Sequence, residues 1–219
     1  MTKELEDFIE KVRPFILGNI THPYFTLELC EKVRDIEGDF CECGVAYGGT
    51  SAVMAKYLMT EGINKMLHMW DSFQGIPYPT QKDGHPIDNI QFPKTGELKS
   101  TGISVGSLDN VMNLMKVAGI NPDILMYYYG WLEESLPILH SKMGKLSFLR
   151  IDVDLYRPTM YCLRYLYPKL SSGGYVLMHD DGKALAGPRK AVADYVKNNR
   201  KGIKIHHFPD EGGLYWRKP

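Results

Sequence analysis

The chain has 219 residues, a length that suits one domain built around a single sizeable core. Its 26 Lys and Arg balance 26 Asp and Glu, which leaves no electrostatic footprint of the kind that nucleic acid or an anionic membrane selects and points to a small-molecule partner. Apolar runs fall far short of the ~20 residues of a bilayer span, and the acidic, amphipathic start differs from a secretory signal, so a cytoplasmic protein is expected.

Taken in chain order, residues 3–17 place Leu5, Phe8, Ile9, Val12 and Ile16 at helical spacing, and Tyr24 to Arg34 continue as a second amphipathic helix, together an N-terminal cap over residues 1–37. Gly38 to Val45 reads as a first strand ending in a glycine turn, and Thr50 to Leu58 as the helix that follows. Met66 to Asp71 gives a second strand ending in an acid. Residues 73–101 lack periodicity. Ser107 is placed to cap a helix, Ile124 to Tyr129 forms a third strand closed by Gly130-Trp131, and Leu146 to Ile151 a fourth closed by Asp152-Val153-Asp154. A helix over 158–170, a fifth strand over Tyr175 to Met178 closed by His179-Asp180-Asp181, and a helix over Gly187 to Lys197 follow. Lys204 to Phe208 and Leu214 to Trp216 flank Asp210-Glu211-Gly212-Gly213 as an antiparallel hairpin. Strands alternating with helices indicate an α/β fold with a mostly parallel sheet covered on both faces, where ligands gather beyond the carboxyl ends of the strands.

Most of the chemistry-bearing residues fall at those ends. Glu42-Cys43-Gly44-Val45-Ala46-Tyr47-Gly48-Gly49-Thr50-Ser51 has the order a nucleoside cofactor requires: acid, glycine turn, helix start. A plain strand-to-helix turn would look similar. Asp71, about twenty residues on, is the expected acceptor for ribose hydroxyls, with Ser72 beside it. The spacing Gly44-x-x-x-Gly48-Gly49 departs from the G-x-G-x-x-G that brings backbone against a pyrophosphate, which favours a cofactor without phosphates over NAD. Trp131 is in position to cover an adenine, or to fill the core.

Asp152 and Asp154 at one strand end and His179, Asp180 and Asp181 at the next form a second group. Acids converging without Lys or Arg partners repel one another, so a hard divalent cation such as Mg2+ is expected to relieve them; simple capping of turns is the alternative for any single acid. Asp154 is the first candidate base for a substrate hydroxyl and His179 the second, since imidazole titrates near neutrality and serves without metal. His22, His68, His140, His206 and His207 are read as structural, and His85 in the long loop as a minor substrate contact. Cys30, Cys41, Cys43 and Cys162 lack the spacing of a zinc site or disulfide framework. Cys41 and Cys43 alternate around Glu42, so both thiols face one side, into packing.

These residues together resemble the macrocin O-methyltransferase (TylF-like) family. The resemblance runs from about Gly38 to Trp216 through Glu42-Cys43-Gly44-Val45 with Gly48, Asp71-Ser72-Phe73-x-Gly75-x-Pro77, Gly130-Trp131-Leu132-Glu133-x-Ser135-Leu136-Pro137, Arg150-Ile151-Asp152-x-Asp154-Leu155-Tyr156 and Tyr167-Pro168-Lys169-Leu170. It implies a Rossmann-like class I methyltransferase domain over 1–219 with a seven-stranded sheet, S-adenosylmethionine at the first three motifs, a Mg2+ ligand at Asp152, a base at Asp154, and a lid over Phe73 to Thr101 that excludes water on closure. The implied substrate is a hydroxyl of a sugar or natural product, and the implied assembly a homo-oligomer.

One departure stands out. The family continues Gly-Gly and four apolar residues into Asp-Asp-Tyr, whereas Gly173-Gly174 here leads to His179-Asp180-Asp181. Without a gap His179 replaces the first metal carboxylate, beside Asp152 and Asp180, and favours Mn2+ or a histidine base without metal; a one-residue shift restores Asp180 and Asp181. Two rivals remain at this level: an NAD-type oxidoreductase on the same fold and a catalytically silent binding module. Tyr78, Gln81, His85, Asn89 and Phe92 in the lid suit a sugar or a phenolic ring equally.

Overall fold

The computed structural model describes residues 2–19, 21–84, 98–179, 186–199, 202–208 and 213–219. His85, Asn89 and Phe92 of the lid expectation, and Asp180 and Asp181 of the metal expectation, lie outside these residues.

Seven strands form one sheet: β1 (Asp39–Cys43), β2 (Leu67–Asp71), β3 (Leu125–Tyr129), β4 (Leu146–Ile151), β5 (Leu170–Met178), β6 (His206–His207) and β7 (Leu214–Arg217). Their order is β3-β2-β1-β4-β5-β7-β6. The first five are parallel, while β7 runs antiparallel to β5 and β6 antiparallel to β7, as expected for the closing hairpin. The chain winds outward from β1 in one direction and from β4 in the other, so the crevice between their tips is the switch point where open α/β sheets take ligands.

Alternation along each strand divides the core in two. Phe40, Met69, Phe148 and Leu177 pack with α1 (Lys3–Val12), α2 (Thr21–Lys32), α3 (Gly49–Thr60) and α4 (Leu108–Val117) on one face. Cys41, Cys43, Trp70, Leu149, Ile151, Val176 and Met178 pack with α5 (Leu132–Leu139), α6 (Tyr156–Tyr165) and α7 (Ala186–Asn199) on the other. All four cysteines are buried and reduced, and Cys41 and Cys43 share a face as the alternation requires. None of the helices among the described residues is long and apolar enough to cross a membrane.

Local signals account for most boundaries. Thr2 caps α1 by accepting the Leu5 N–H at 3.4 Å, and Ser107 caps α4 by accepting that of Asn110 at 3.3 Å. The first helix is shorter than its periodicity implies: Pro14 cannot continue the bonding pattern, and Arg13–Phe15 tightens to a 3-10 turn. The helix expected over 158–170 starts two residues earlier and stops at Tyr165, because Pro168 again forces a 3-10 turn, Tyr167–Lys169. β5 starts at Leu170 rather than Tyr175, with a register shift opposite Leu146–Phe148 that absorbs the Ser-Ser-Gly-Gly stretch. α5 has no counterpart in the periodicity reading.

Candidate active site

The strand tips align because the ladder runs one residue past each strand. Gly44 N–H donates to the Trp70 carbonyl at 2.9 Å, Asp152 N–H to Cys43 at 2.8 Å, and His179 N–H to Ile151 at 3.0 Å. Asp71, Gly44, Asp152 and His179 therefore stand side by side at the carboxyl edge. A cleft of about 300 Å³ opens above them, lined by Glu42, Gly44, Val45, Ala46, Thr50, Asp71, Ser72, Trp131, Asp152, Asp154 and His179 among the expected residues. Tyr47, Gly48, Ser51 and Gly130 do not line it. Tyr47 is exposed, Gly48 and Gly130 hold positive-φ turns, and Ser51 is buried behind Glu42.

On the cofactor side, the Asp71 carboxylate is held by backbone. Its Oδ2 accepts the N–H groups of Val45 at 2.7 Å and Ala46 at 3.0 Å, and its Oδ1 accepts that of Phe73 at 2.7 Å. Burial pushes its carboxyl above the usual range against those three bonds. The glycine turn is thus stapled to the tip of β2, with Asp71 presented at a fixed angle. Gly44 is required for a reason the sequence does not display: it sits at φ +87°, and a Cβ there would lie 1.7 Å from the Asp152 carbonyl oxygen. The close approach is between two strands of the protein itself.

The acids are not without a cation. Glu42 and Arg150 are register partners on β1 and β4, and Asp152 is two residues beyond Arg150, so all three project to the same face. Arg150, buried at 3% exposure, donates through Nη1 to Glu42 Oε1 at 2.6 Å and through Nη2 to Asp152 Oδ2 at 2.8 Å. The Ser51 hydroxyl donates to the other Glu42 oxygen. Burial nevertheless pushes the Glu42 carboxyl up to about 7, with Arg150 and Ser51 pulling it back. The expectation of mutually repelling, unpartnered acids is corrected by this bridge.

Asp152 Oδ1 meets Nδ1 of His179 at 3.1 Å, and Nε2 of His179 faces the ring of His22, with 3.2 Å between the two Nε2 atoms and a T-shaped centroid distance of 3.9 Å. His22, read as structural from sequence, is not among the residues that line the cleft but packs against one that is, His179; α2 delivers it from 157 residues away. Burial, then the charges of His179 and Arg150, lower its pKa to about 4. Phe15, Leu17 and Gly18 of the same N-terminal stretch also line the cleft. His68, by contrast, is structural as expected, its ring nitrogens meeting Tyr128 Oη at 3.0 Å and Asp39 Oδ2 at 3.1 Å.

The described donors do not fit a divalent cation. Both Asp152 oxygens are engaged, one by Arg150 and one by His179, and among the described residues there is no group of three His, Cys, Asp or Glu disposed to hold a metal. Asp154 lines the cleft from a strained turn, at φ +60°.

Replacing Arg150 with Met leaves Glu42 buried without its counter-charge, and chemical denaturation is expected to show a loss of about 3 kcal/mol. Adding Glu42→Gln to that variant recovers part of the loss, which a double-mutant cycle reads directly. Because the folded pKa of His22 lies below its unfolded value of 6.5, its contribution to stability is complete above pH 6.5 and disappears as the pH falls through about 4. The free energy of unfolding measured from pH 7 to pH 4 is therefore expected to decline less in His22→Gln than in the wild type.

The chain has named relatives. It is 32% identical over 185 residues, 83% of this chain and 66% of that protein, to 8-demethyl-8-(2,3-dimethoxy-alpha-L-rhamnosyl)-tetracenomycin-C 4'-O-methyltransferase of Streptomyces olivaceus. It is 31% identical over 194 residues, 85% of this chain and 71% of that protein, to mycinamicin III 3''-O-methyltransferase of Micromonospora griseorubida. The chain thus spans about two thirds of the length of these relatives. The solved O-methyltransferase NovP superposes with a TM-score of 0.77 at 26% identity, over 91% of this chain and 80% of that one. The sheet is that of the class I methyltransferases, with the Rossmann-like strand order. The profile of the macrocin O-methyltransferase (TylF) family matches residues 27–218, and the chain belongs to that family.

Proposed function

We propose that the protein transfers the methyl group of S-adenosylmethionine to a hydroxyl of a sugar carried by a natural product. The observation that carries this reading is the cleft at the β1/β4 switch point, which has a nucleoside-type acid, Asp71, at one end and Asp152, Asp154 and His179 at the other. When bound, the cofactor supplies an electrophilic methyl group on a sulfonium.

In this reading Asp71 takes the ribose hydroxyls, and Trp131, which lines the cleft and is 9% exposed, covers the adenine. Val45, Ala46 and Thr50 edge the nucleoside, and the unpaired N–H groups at the start of α3 suit a carboxylate. Asp154 accepts the proton from the substrate hydroxyl as its oxygen attacks the methyl carbon in line, and the products are the methyl ether, the thioether and a proton on the base. His179, oriented by Asp152, is the second group able to take that proton. A metal-assisted form of the reaction would have to draw on Asp180 and Asp181, since Asp152 has both oxygens engaged. Phe15 and Leu17, 42% and 46% exposed at the cleft, suit the apolar part of a glycosylated acceptor.

Calorimetric titration with S-adenosylhomocysteine tests the cofactor half. Asp71→Ala is expected to weaken binding about 10- to 100-fold, the loss of hydrogen bonds to a charged group. Methyl transfer from radiolabelled S-adenosylmethionine to a rhamnosylated aromatic polyketide tests the other half. Asp154→Asn is expected to lower kcat by about 100-fold or more while leaving that titration unchanged. Wild-type protein that does not bind S-adenosylhomocysteine would reject the reading.

A further inference from the structure

The turn that carries Asp154 is held from outside by a buried acid. α6 begins at Tyr156, and its N-cap, Leu155, has no side-chain acceptor with which to cap the Tyr156 N–H at the head of the first turn. The missing acceptor comes from 73 residues earlier in the chain: Asp83 Oδ1 accepts the Tyr156 N–H at 2.7 Å in a buried bond. Asp83 Oδ2 accepts the Thr80 N–H at 2.6 Å and the Thr80 hydroxyl at 2.8 Å, closing the 3-10 turn Gln81–Asp83 around the same carboxylate. Asp83 is 4% exposed.

Two further contacts lock this junction. Lys82 Nζ donates to the Tyr156 hydroxyl at 3.0 Å, and that hydroxyl donates to Asp194 Oδ2 on α7 at 3.0 Å. α7 closes over the carboxylate at Gly187, where a Cβ would stand 2.1 Å from Asp83 Oδ1 and 2.8 Å from the Tyr156 nitrogen. No side chain fits there without displacing the bond.

What the junction fixes lies just upstream. Leu155 N–H donates back to the Val153 carbonyl at 2.6 Å across Asp154 at φ +60°, a three-residue turn in its strained, positive-φ form. One side of the turn is tied to β1 by the Asp152 N–H to Cys43 bond at 2.8 Å. The other side runs directly into the start of α6, which Asp83 caps, and a strained residue keeps its conformation only while its surroundings over-determine it.

We infer that Asp83 is a positioning residue for Asp154: by capping α6 it holds the strained turn that aims the base into the cleft. This rests on the reading of Asp154 as the base. Asp83 lies away from the cleft lining and touches neither cofactor nor acceptor in this reading.

The test compares Asp83→Ala, Asp83→Asn, Gly187→Ala and Asp154→Asn in the full chain, by steady-state methyl transfer from S-adenosylmethionine to a rhamnosylated polyketide and by calorimetry with S-adenosylhomocysteine. Asp83→Ala and Gly187→Ala are each expected to lower kcat about 100-fold, the cost of a small misplacement of a reacting group. KM for S-adenosylmethionine and the calorimetric affinity stay at wild-type values. Asp83→Asn, whose amide oxygen can still accept the Tyr156 N–H, recovers most of kcat. Amide exchange over residues 153–157 rises in Asp83→Ala and stays low across β1. Unchanged kcat in both Asp83→Ala and Gly187→Ala overturns the inference, as does a parallel fall of kcat and cofactor affinity, which marks a merely structural role. An active Asp154→Asn instead sinks the assignment of the base, whatever Asp83 does. Should Asp83→Ala not fold, Gly187→Ala and Asp83→Asn read the same contact.

Discussion

The site depends on one buried guanidinium. Arg150 spans the seam between β1 and β4, the two strands from which the sheet winds in opposite directions, and it neutralises an acid on each. Without it, Glu42 and Asp152 would be like charges on adjacent strands in a low-dielectric setting, and one would have to take up a proton or turn away. With it, the acid behind the glycine turn and the acid beside the imidazole are fixed in one register. The bridge also engages the Asp152 oxygen on the Arg150 side, so among the described residues the counter-charge for both acids comes from within the chain.

Around that bridge the backbone is crowded. Gly44 admits the carbonyl of Asp152, so the first glycine of the turn serves the strand pair before it serves a ligand. The turn after β4 then reverses within three residues, with Asp154 at a φ that non-glycine residues rarely adopt. Strain of this kind persists where packing over-determines it, and here the determinants come from three separate stretches: the tip of β1, the 3-10 turn ending at Asp83, and the start of α7. A further part of the wall is the N-terminal segment, which brings Phe15, Leu17 and Gly18 to the cleft and sets His22 against His179.

The sequence makes the parallel strands legible because each is a short apolar run ending in an acid, a glycine or a histidine, and these tip residues mark the side on which the cleft forms. The order of strands then brings together what the linear pattern only suggests. Other features are hidden for physical reasons. α5 contains Pro137, which a periodicity argument treats as a breaker. The first half of β5 is Ser-Ser-Gly-Gly, which resembles a turn until its partner strand is known. Arg150 is visible in the sequence but its role is not, since pairing with Glu42 depends on cross-strand register. His22 and Asp83 act on residues 157 and 73 positions away, contacts that no local spacing encodes.

The most direct measurement is a crystal structure of the protein with S-adenosylhomocysteine. The ribose hydroxyls are expected within hydrogen-bond distance of the Asp71 carboxylate, and the sulfur above the β1/β4 seam on the side facing Asp154, with the Arg150 bridge intact. A nucleoside bound elsewhere on the molecule, or a sulfur turned away from Asp152 and Asp154, would contradict that arrangement.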